Sequence, residues 1–308
     1  MILTVTLNPA VDKTYRTGEL LCGRVNRMRS VTNIAGGKGI NVSRILRRYG
    51  YEVTATGFLG GFPGKWVEAG LKKAGIRSEF VEIDGETRTS MNVVGDNGFV
   101  TEILEPGPHI SQMQLERFQK RFASLVPECR MVVLSGSAAP GVPEDIYARL
   151  IAEAKSAGKE TILDTSGELL RKGVGAGPAI IKPNRKELEY LIGHRLRDRE
   201  DLKEAAGILR KNGVGLVVVS LGDRGLMLAG ESGFLYAKTP KVKVTNTVGC
   251  GDSVVASLIM QRIAGADEEE MLRRASALSA AHATTLENGD VPPRLAEELY
   301  RDILVERL

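Results

Sequence analysis

Met131-Val-Val-Leu-Ser135, Thr161-Ile-Leu-Asp164, Ala179-Ile-Ile181 and Leu216-Val-Val-Val-Ser220 are short, continuous apolar runs rich in β-branched residues. Between them lie stretches of helical period over residues 143–157 and 199–212. Unbroken apolar strands that alternate with amphipathic helices predict a parallel sheet buried on both faces. On the N-terminal side, residues 2–7 and 53–59 extend the set of strands. On the C-terminal side, a helix is expected over 252–263. Right-handed crossovers then give a three-layer α/β/α domain with a mostly parallel central sheet. Helix punctuation agrees: Pro143 with Glu144 and Asp145 opens one helix and Gly158 closes it.

Two regions break this rhythm. Residues 12–32, and residues 88–105 around Gly95-Asp96-Asn97-Gly98, alternate polar and apolar without a helix between them. Half-buried antiparallel strands alternate in this way. They read as one small sheet, inserted twice, that acts as a lid over the C-terminal strand ends. The expected domains are therefore a main α/β unit of residues 1–11, 33–86 and 106–308, with a discontinuous β lid of residues 12–32 and 87–105.

The chain has 308 residues, 43% of them hydrophobic and 26% charged, with a net charge of +4. That is an ordinary globular composition with ample length for a core. Basic residues are scattered in small groups and form no run with aromatic partners, which argues against nucleic acid. The mild positive balance suits anionic small substrates. Three cysteines and three histidines show no metal-ligand spacing. No apolar run approaches the ~20 residues of a membrane span. The first residues lack a basic start and a long apolar stretch, so no signal peptide and a cytoplasmic location are expected.

The chemistry gathers in glycine-rich turns. Thr247-Val-Gly-Cys-Gly-Asp-Ser253 precedes a helix whose apolar residues are Val254, Val255, Leu258 and Ile259. Glycines at a helix start let backbone N–H groups approach an anion, which the helix dipole favours. A carboxylate there repels phosphate, so Asp252 needs another task. Accepting the proton of an attacking hydroxyl fits phosphoryl transfer. Read alone, the stretch equally suits a turn with Asp252 as helix N-cap. It is no dinucleotide fingerprint, because position 254 is valine. No Walker A sequence occurs, because Lys38 and Lys65 are followed by Gly39 and Trp66.

Ala35-Gly-Gly-Lys-Gly-Ile-Asn41 opens a second helix. Its glycines suit close approach of backbone to a sugar, with Lys38 as a point charge for phosphate; a flexible turn fits as well. Lys182-Pro-Asn-Arg-Lys-Glu187 has the spacing of a capping box between Asn184 and Glu187. Alternatively, Asn184, Glu187 and Asp164 hold magnesium through its waters. Ser220-Leu-Gly-Asp-Arg-Gly225 reads as a hairpin turn or as a glycine-rich edge against a nucleotide. Each motif falls at an expected strand end, where open α/β sheets bind ligands.

Taken in order, Leu7-Asn-Pro-Ala-Val-Asp12, Gly36-Gly-Lys-Gly-Ile-Asn41, Thr87-Arg88, Ser135-Gly-Ser137, Lys182-Pro-Asn184 with Glu187, Ser220-Leu-Gly222 with Gly225, and Val248-Gly-Cys-Gly-Asp252 carry a family resemblance. The chain resembles the ribokinase-like carbohydrate kinases, in their phosphofructokinase-B branch, from first strand to last helix. The resemblance implies ATP, Mg2+ and a phosphosugar as ligands. It makes Asp252 the base and Gly249, Cys250 and Gly251 the anion hole for the transferring phosphoryl group. Asp12, Gly36, Gly37, Gly39, Asn41 and Ser137 would face the sugar, with Lys38 and Arg88 on the phosphate it already carries. Lys182, Asn184, Ser220, Gly222 and Gly225 would contact ATP. A homodimer through the lid is implied too.

Two positions depart from the family pattern. Cys250 stands where alanine is usual, and Ser135-Gly-Ser-Ala-Ala-Pro140 replaces Ser-Gly-Ser-Leu-Pro. Neither removes a catalytic group. Cys250 reads as a packing residue, since a reactive thiolate needs a pKa-lowering environment. The expected acceptor is fructose 1-phosphate, with tagatose 6-phosphate as the alternative. Residues 3–12, 57–61 and 304–308 look more like 1-phosphofructokinases, and residues 101–107 more like tagatose-6-phosphate kinases. A sugar-phosphate sensor that has lost catalysis is the rival from another class; the intact Asp252, Gly249, Gly251, Asn184 and Glu187 count against it. A nicotinamide-dependent oxidoreductase lacks its glycine fingerprint here.

Overall fold

In a computed structural model, which describes residues 1–285, 289 and 291–308, the apolar runs join into one sheet of eleven strands. Strand Ile2–Thr6 lies between Val53–Gly60 and Met131–Ser135 and is parallel to both. The parallel part continues through Glu160–Asp164, Ile180–Ile181 and Leu216–Ser220. Leu226–Gly230, Gly233–Ala237 and Val305–Arg307 then add antiparallel strands at that edge. At the other edge Arg77–Ser78 and Val81–Ile83 pair with Val53–Gly60. The chain leaves Ile2–Thr6 first for one neighbour and later for the other. Such a reversal opens a crevice at the carboxyl ends of the strands.

Side chains alternate across the sheet, so each strand feeds two cores. Leu3, Val5 and Leu7 pack with Phe118, Leu150, Leu170 and Leu202 on one face. Ile2 and Val133 pack with Val42, Ile45, Leu258 and Leu272 on the other. Phe118 is fully buried, its ring centroid 5.1 Å from that of Phe58 and 6.2 Å from that of Phe122. Phe118→Ala is expected to cost about 3–5 kcal/mol of folding free energy, read as a lower urea midpoint at unchanged slope.

The helix expected over 143–157 runs from Ile146 to Ser156. Its start is later because Pro143 accepts from the Ile146 N–H at 3.1 Å, closing a turn ahead of it. Helix Cys250–Ala264 begins two residues before the expected Asp252. Among the described residues no helix is long and apolar enough to cross a membrane.

A separate sheet of four strands forms from the two polar–apolar stretches. Ala10–Thr17 lies between Ser30–Gly36, antiparallel, and Arg88–Gly95, parallel; Val100–Leu104 is the outer strand. The sheet extends to Ala10 and Gly36, past the 12–32 limits at both ends. It therefore leaves Ile2–Thr6 and enters helix Lys38–Arg48 almost without a loop. Val11, Ala35, Leu59, Val67 and Leu71 bury its root against helix Gly61–Lys73.

Candidate active site

Between the small sheet and the carboxyl ends of the main strands lies a cavity of about 340 Å³. Asp12, Gly37, Lys38, Asn41, Arg88, Ser137, Asp164, Gly249, Gly251 and Asp252 all border it. Gly36 and Gly39 stand behind this wall and make it possible. A Cβ at Gly36 would come within 2.1 Å of the Asp12 carboxyl carbon, and one at Gly39 within 2.4 Å of Thr6 Oγ1. Both glycines are required by close approach.

Asp252 sits in the first turn of helix Cys250–Ala264. The N-cap is Gly249, left-handed at φ 86° and with no side chain to cap, so the cap reading of Asp252 is set aside. The Asp252 side chain is instead buried, and its Oδ2 accepts from Asn41 Nδ2 at 2.8 Å. Burial pushes its carboxyl up to about 7, against the pull of Lys38, the Asn41 amide and Lys182, with Asp164 adding to the rise. Were Asp252 a general base it would work only when ionised, and kcat/KM would then fall as pH drops through about 7. A pH–rate profile checks this; a limb in the ordinary carboxylate range would contradict it. Burial likewise drives the Cys250 thiol up to about 11, which keeps it protonated and marks it as a packing residue.

Asp164, almost fully buried at the end of Glu160–Asp164, bridges two lysines. Its Oδ1 lies 3.4 Å from Lys38 Nζ and 3.2 Å from Lys182 Nζ. Burial alone would raise the Asp164 carboxyl, but the two ammonium groups hold it below its usual range. Lys38 is held above its ordinary value chiefly by Asp164, with Asp252 and Glu187 adding. Lys182 also reaches the glycine turn, since a Cβ at Gly251 would stand 3.3 Å from its Nζ.

Arg88 keeps different company. Its Nε donates to the Asn8 carbonyl at 3.2 Å and its Nη1 to the Glu105 carbonyl at 3.1 Å. Burial lowers it, against the pull of Asp12 and Glu105. The two cations expected on one phosphate are thus set among different acids. Asp12, pushed up to about 6 by burial, is countered by Arg88, Ser90, the Gly37 backbone and Arg44.

Thr6 Oγ1, Asn8 Oδ1, Asn41 Oδ1, Asn92 Oδ1 and Asp164 Oδ2 are buried and have no partner among the described residues. All five residues border the cavity. Buried polar atoms are nearly always satisfied, so such a cluster marks where a ligand completes the bonding. Three of the atoms are amide oxygens, of Asn8, Asn41 and Asn92, which suit a ligand rich in hydroxyl donors. Of these residues, Thr6, Asn8 and Asn92 escaped the sequence reading. Asn8 stands inside the quoted Leu7–Asp12 stretch, and Ser90 and Asn92 share the face of Arg88 two and four residues on. That spacing was the available signal.

On the next strand ends, Asn184 and Glu187 form the full capping box. Asn184 Oδ1 accepts from the Glu187 N–H at 2.9 Å, and Glu187 Oε2 from the Asn184 N–H at 2.8 Å. The cap occupies the Asn184 carbonyl. Asp164 Oδ2 and the other Glu187 oxygen are hard donors of the type magnesium takes when it retains most of its waters, and among the described residues no group of three or more His, Cys, Asp or Glu side chains forms a metal cluster. Ser220 joins Asn184 in an isolated bridge, and its N–H donates to the Pro183 carbonyl at 2.9 Å. Gly222 and Gly225 lie in the turn of the antiparallel hairpin that follows. Ser220, Gly222 and Gly225 do not border the cavity, and neither do Lys182, Asn184, Glu187 and Cys250.

The site thus sets a buried carboxylate at a glycine-opened helix between a wall of unpartnered acceptors and a lysine-rich strand end. Residues 5–293 match the family model for the pfkB family carbohydrate kinases, and the chain belongs to that family. It is 36% identical over 308 residues, 99% of each chain, to a tagatose-6-phosphate kinase of Staphylococcus epidermidis. A Thermotoga maritima structure described as a possible 1-phosphofructokinase superposes with TM-score 0.92 at 30% identity, covering 100% of this chain and 99% of that one. Phosphofructokinase-2 from Escherichia coli, in complex with substrates and products, superposes with TM-score 0.90 at 28% identity over 98% of both chains. The ribokinase-like α/β architecture with a small separate sheet follows the expectation from sequence.

Proposed function

We propose that the protein transfers the γ-phosphoryl group of ATP to a hydroxyl of a phosphoketohexose, giving a bisphosphate. The observation that carries this reading is the buried Asp252 carboxylate, held by Asn41 at the cavity wall with Lys38 nearby. Asp252 takes the proton of the acceptor hydroxyl as that oxygen attacks phosphorus. The backbone N–H groups of Gly249 and Gly251 face the charge that develops on the transferring group, while the Cys250 N–H donates to the Thr247 carbonyl at 3.3 Å within the turn. Lys38, set between Asp164 and Asp252, neutralises the same charge. Asp12, Gly37, Asn41 and Ser137 hold sugar hydroxyls, and Arg88 holds the phosphate already present. Lys182, Asn184, Ser220, Gly222 and Gly225 contact ATP. Magnesium would be held by Asp164 and Glu187, with Asn184 fixing Glu187 through the cap. When bound, it would neutralise phosphate charge.

Fructose 1-phosphate is the acceptor favoured by the N-terminal and C-terminal stretches of the sequence. Tagatose 6-phosphate is the second reading, favoured by the 36% identity to the staphylococcal enzyme. Comparison of kcat/KM on the two sugars, by coupled ADP release, separates them. Binding of both without turnover would instead establish a catalytically silent sensor. The protein acts in the cytoplasm as a homodimer paired through the small sheet. Exposed Val31 and Ile103 on that sheet, with Phe99 in its hairpin turn, support the pairing, and sedimentation tests it.

A further inference from the structure

Side chains at alternate positions of a strand share a face, and on Arg88–Gly95 that face turns to the cavity. Arg88 is anchored by the Asn8 and Glu105 carbonyls, and Ser90 is bonded to Asp12. Asn92, next in the row, is only 5% exposed, and its Oδ1 has no partner among the described residues. Its cross-strand neighbour Glu102 borders the same cavity. The main-chain pairing of this strand makes no use of a polar side chain at position 92. A buried acceptor without a partner costs stability, so its presence calls for a ligand that supplies a donor.

We propose that Asn92, with Glu102 beside it, is a specificity determinant that reads the configuration of a sugar hydroxyl. The inference rests on the phosphoketohexose reading above. At about 3.3 Å per residue, Arg88 and Asn92 are about 13 Å apart along the strand, so the two ends of the row meet different parts of a ligand. The Glu102 carboxylate repels phosphate and accepts from hydroxyls, which directs the phosphate towards Arg88 and the hydroxyl-bearing carbons towards Asn92. Burial fixes the direction of the Asn92 acceptor. An inverted carbon aims its hydroxyl away and leaves the acceptor empty, which is how a polar site discriminates.

The test is steady-state kinetics of the full chain on tagatose 6-phosphate, fructose 6-phosphate and fructose 1-phosphate, at saturating ATP. The first two sugars differ only in configuration at C4. Asn92→Leu is expected to shrink the ratio of their kcat/KM values by about tenfold or more, and to leave KM for ATP within about twofold. Glu102→Gln, at an exposed position that cannot unfold the core, is expected to shrink the same ratio by about threefold. Melting temperatures establish that each variant is folded, and Glu102→Gln alone decides if Asn92→Leu is not. Unchanged ratios in the folded variants overturn the proposal while leaving the kinase reading intact. A wild-type chain that turns over none of the three sugars overturns both.

Discussion

Asp252→Asn is expected to lower kcat by about 10²- to 10⁴-fold while ATP affinity stays within about twofold. The substitution is nearly isosteric, and the new amide oxygen can still accept from Asn41 Nδ2, so geometry and burial are kept. What is lost is the capacity to take a proton. The helix start that receives phosphate is unchanged, because Gly249 is its N-cap and the 252 side chain takes no part in capping. Nucleotide binding should therefore survive, and calorimetry with ATP in the absence of sugar checks it. Single-turnover rates separate slowed chemistry from slowed product release. The residual rate should also lose its acid limb near pH 7, since the titrating group is gone. Near-normal turnover would sink the base assignment. A collapse of ATP affinity would show that the carboxylate serves the nucleotide site instead.

Asp252 also shows what local pattern can and cannot decide. The residues around it read as a cap or a base with equal ease, and the N-cap at Gly249, three residues earlier, removes the first of these readings. The parallel strands were readable because burial on both faces demands unbroken apolar runs, and the small sheet because a half-wet strand alternates. The edge strands Leu226–Gly230 and Gly233–Ala237 were missed. The first is buried over Leu226–Ala229, but so short a run between Gly225 and Gly230 merges with the glycine turns on either side, and Gly233 and Phe234 of the second are only half-buried. Glycine-rich turns stood out because close approach limits what can sit there, as Gly36 against Asp12 shows. Thr6, Asn8 and Asn92 did not, for their role arises only when the small sheet folds over the strand ends. The bridge from Lys38 through Asp164 to Lys182 joins three segments far apart in sequence, and no local pattern encodes it.

That bridge makes Lys38→Met the second large effect. The side chain keeps its length and loses its charge. Lys38 has Asp164 as its strongest partner and Asp252 and Glu187 next, while Arg88 stands with Asp12 and Glu105. A lysine among the acids of the transfer centre acts on the charge of the moving phosphoryl group, so its loss should fall on kcat, by about 10²- to 10³-fold. Lys38 is also the strongest influence lowering the Asp252 carboxyl. Without it that carboxyl titrates above about 7, and the acid limb of kcat/KM should move to higher pH, leaving less ionised base at neutrality. Arg88→Met should do the reverse in kind, raising KM for the phosphosugar with a smaller change in kcat and no shift of the limb. If Lys38→Met raised only the sugar KM, Lys38 would be gripping the phosphate already on the substrate, as the sequence alone suggests. The paired profiles of the two variants distinguish a charge that serves the transition state from one that serves binding.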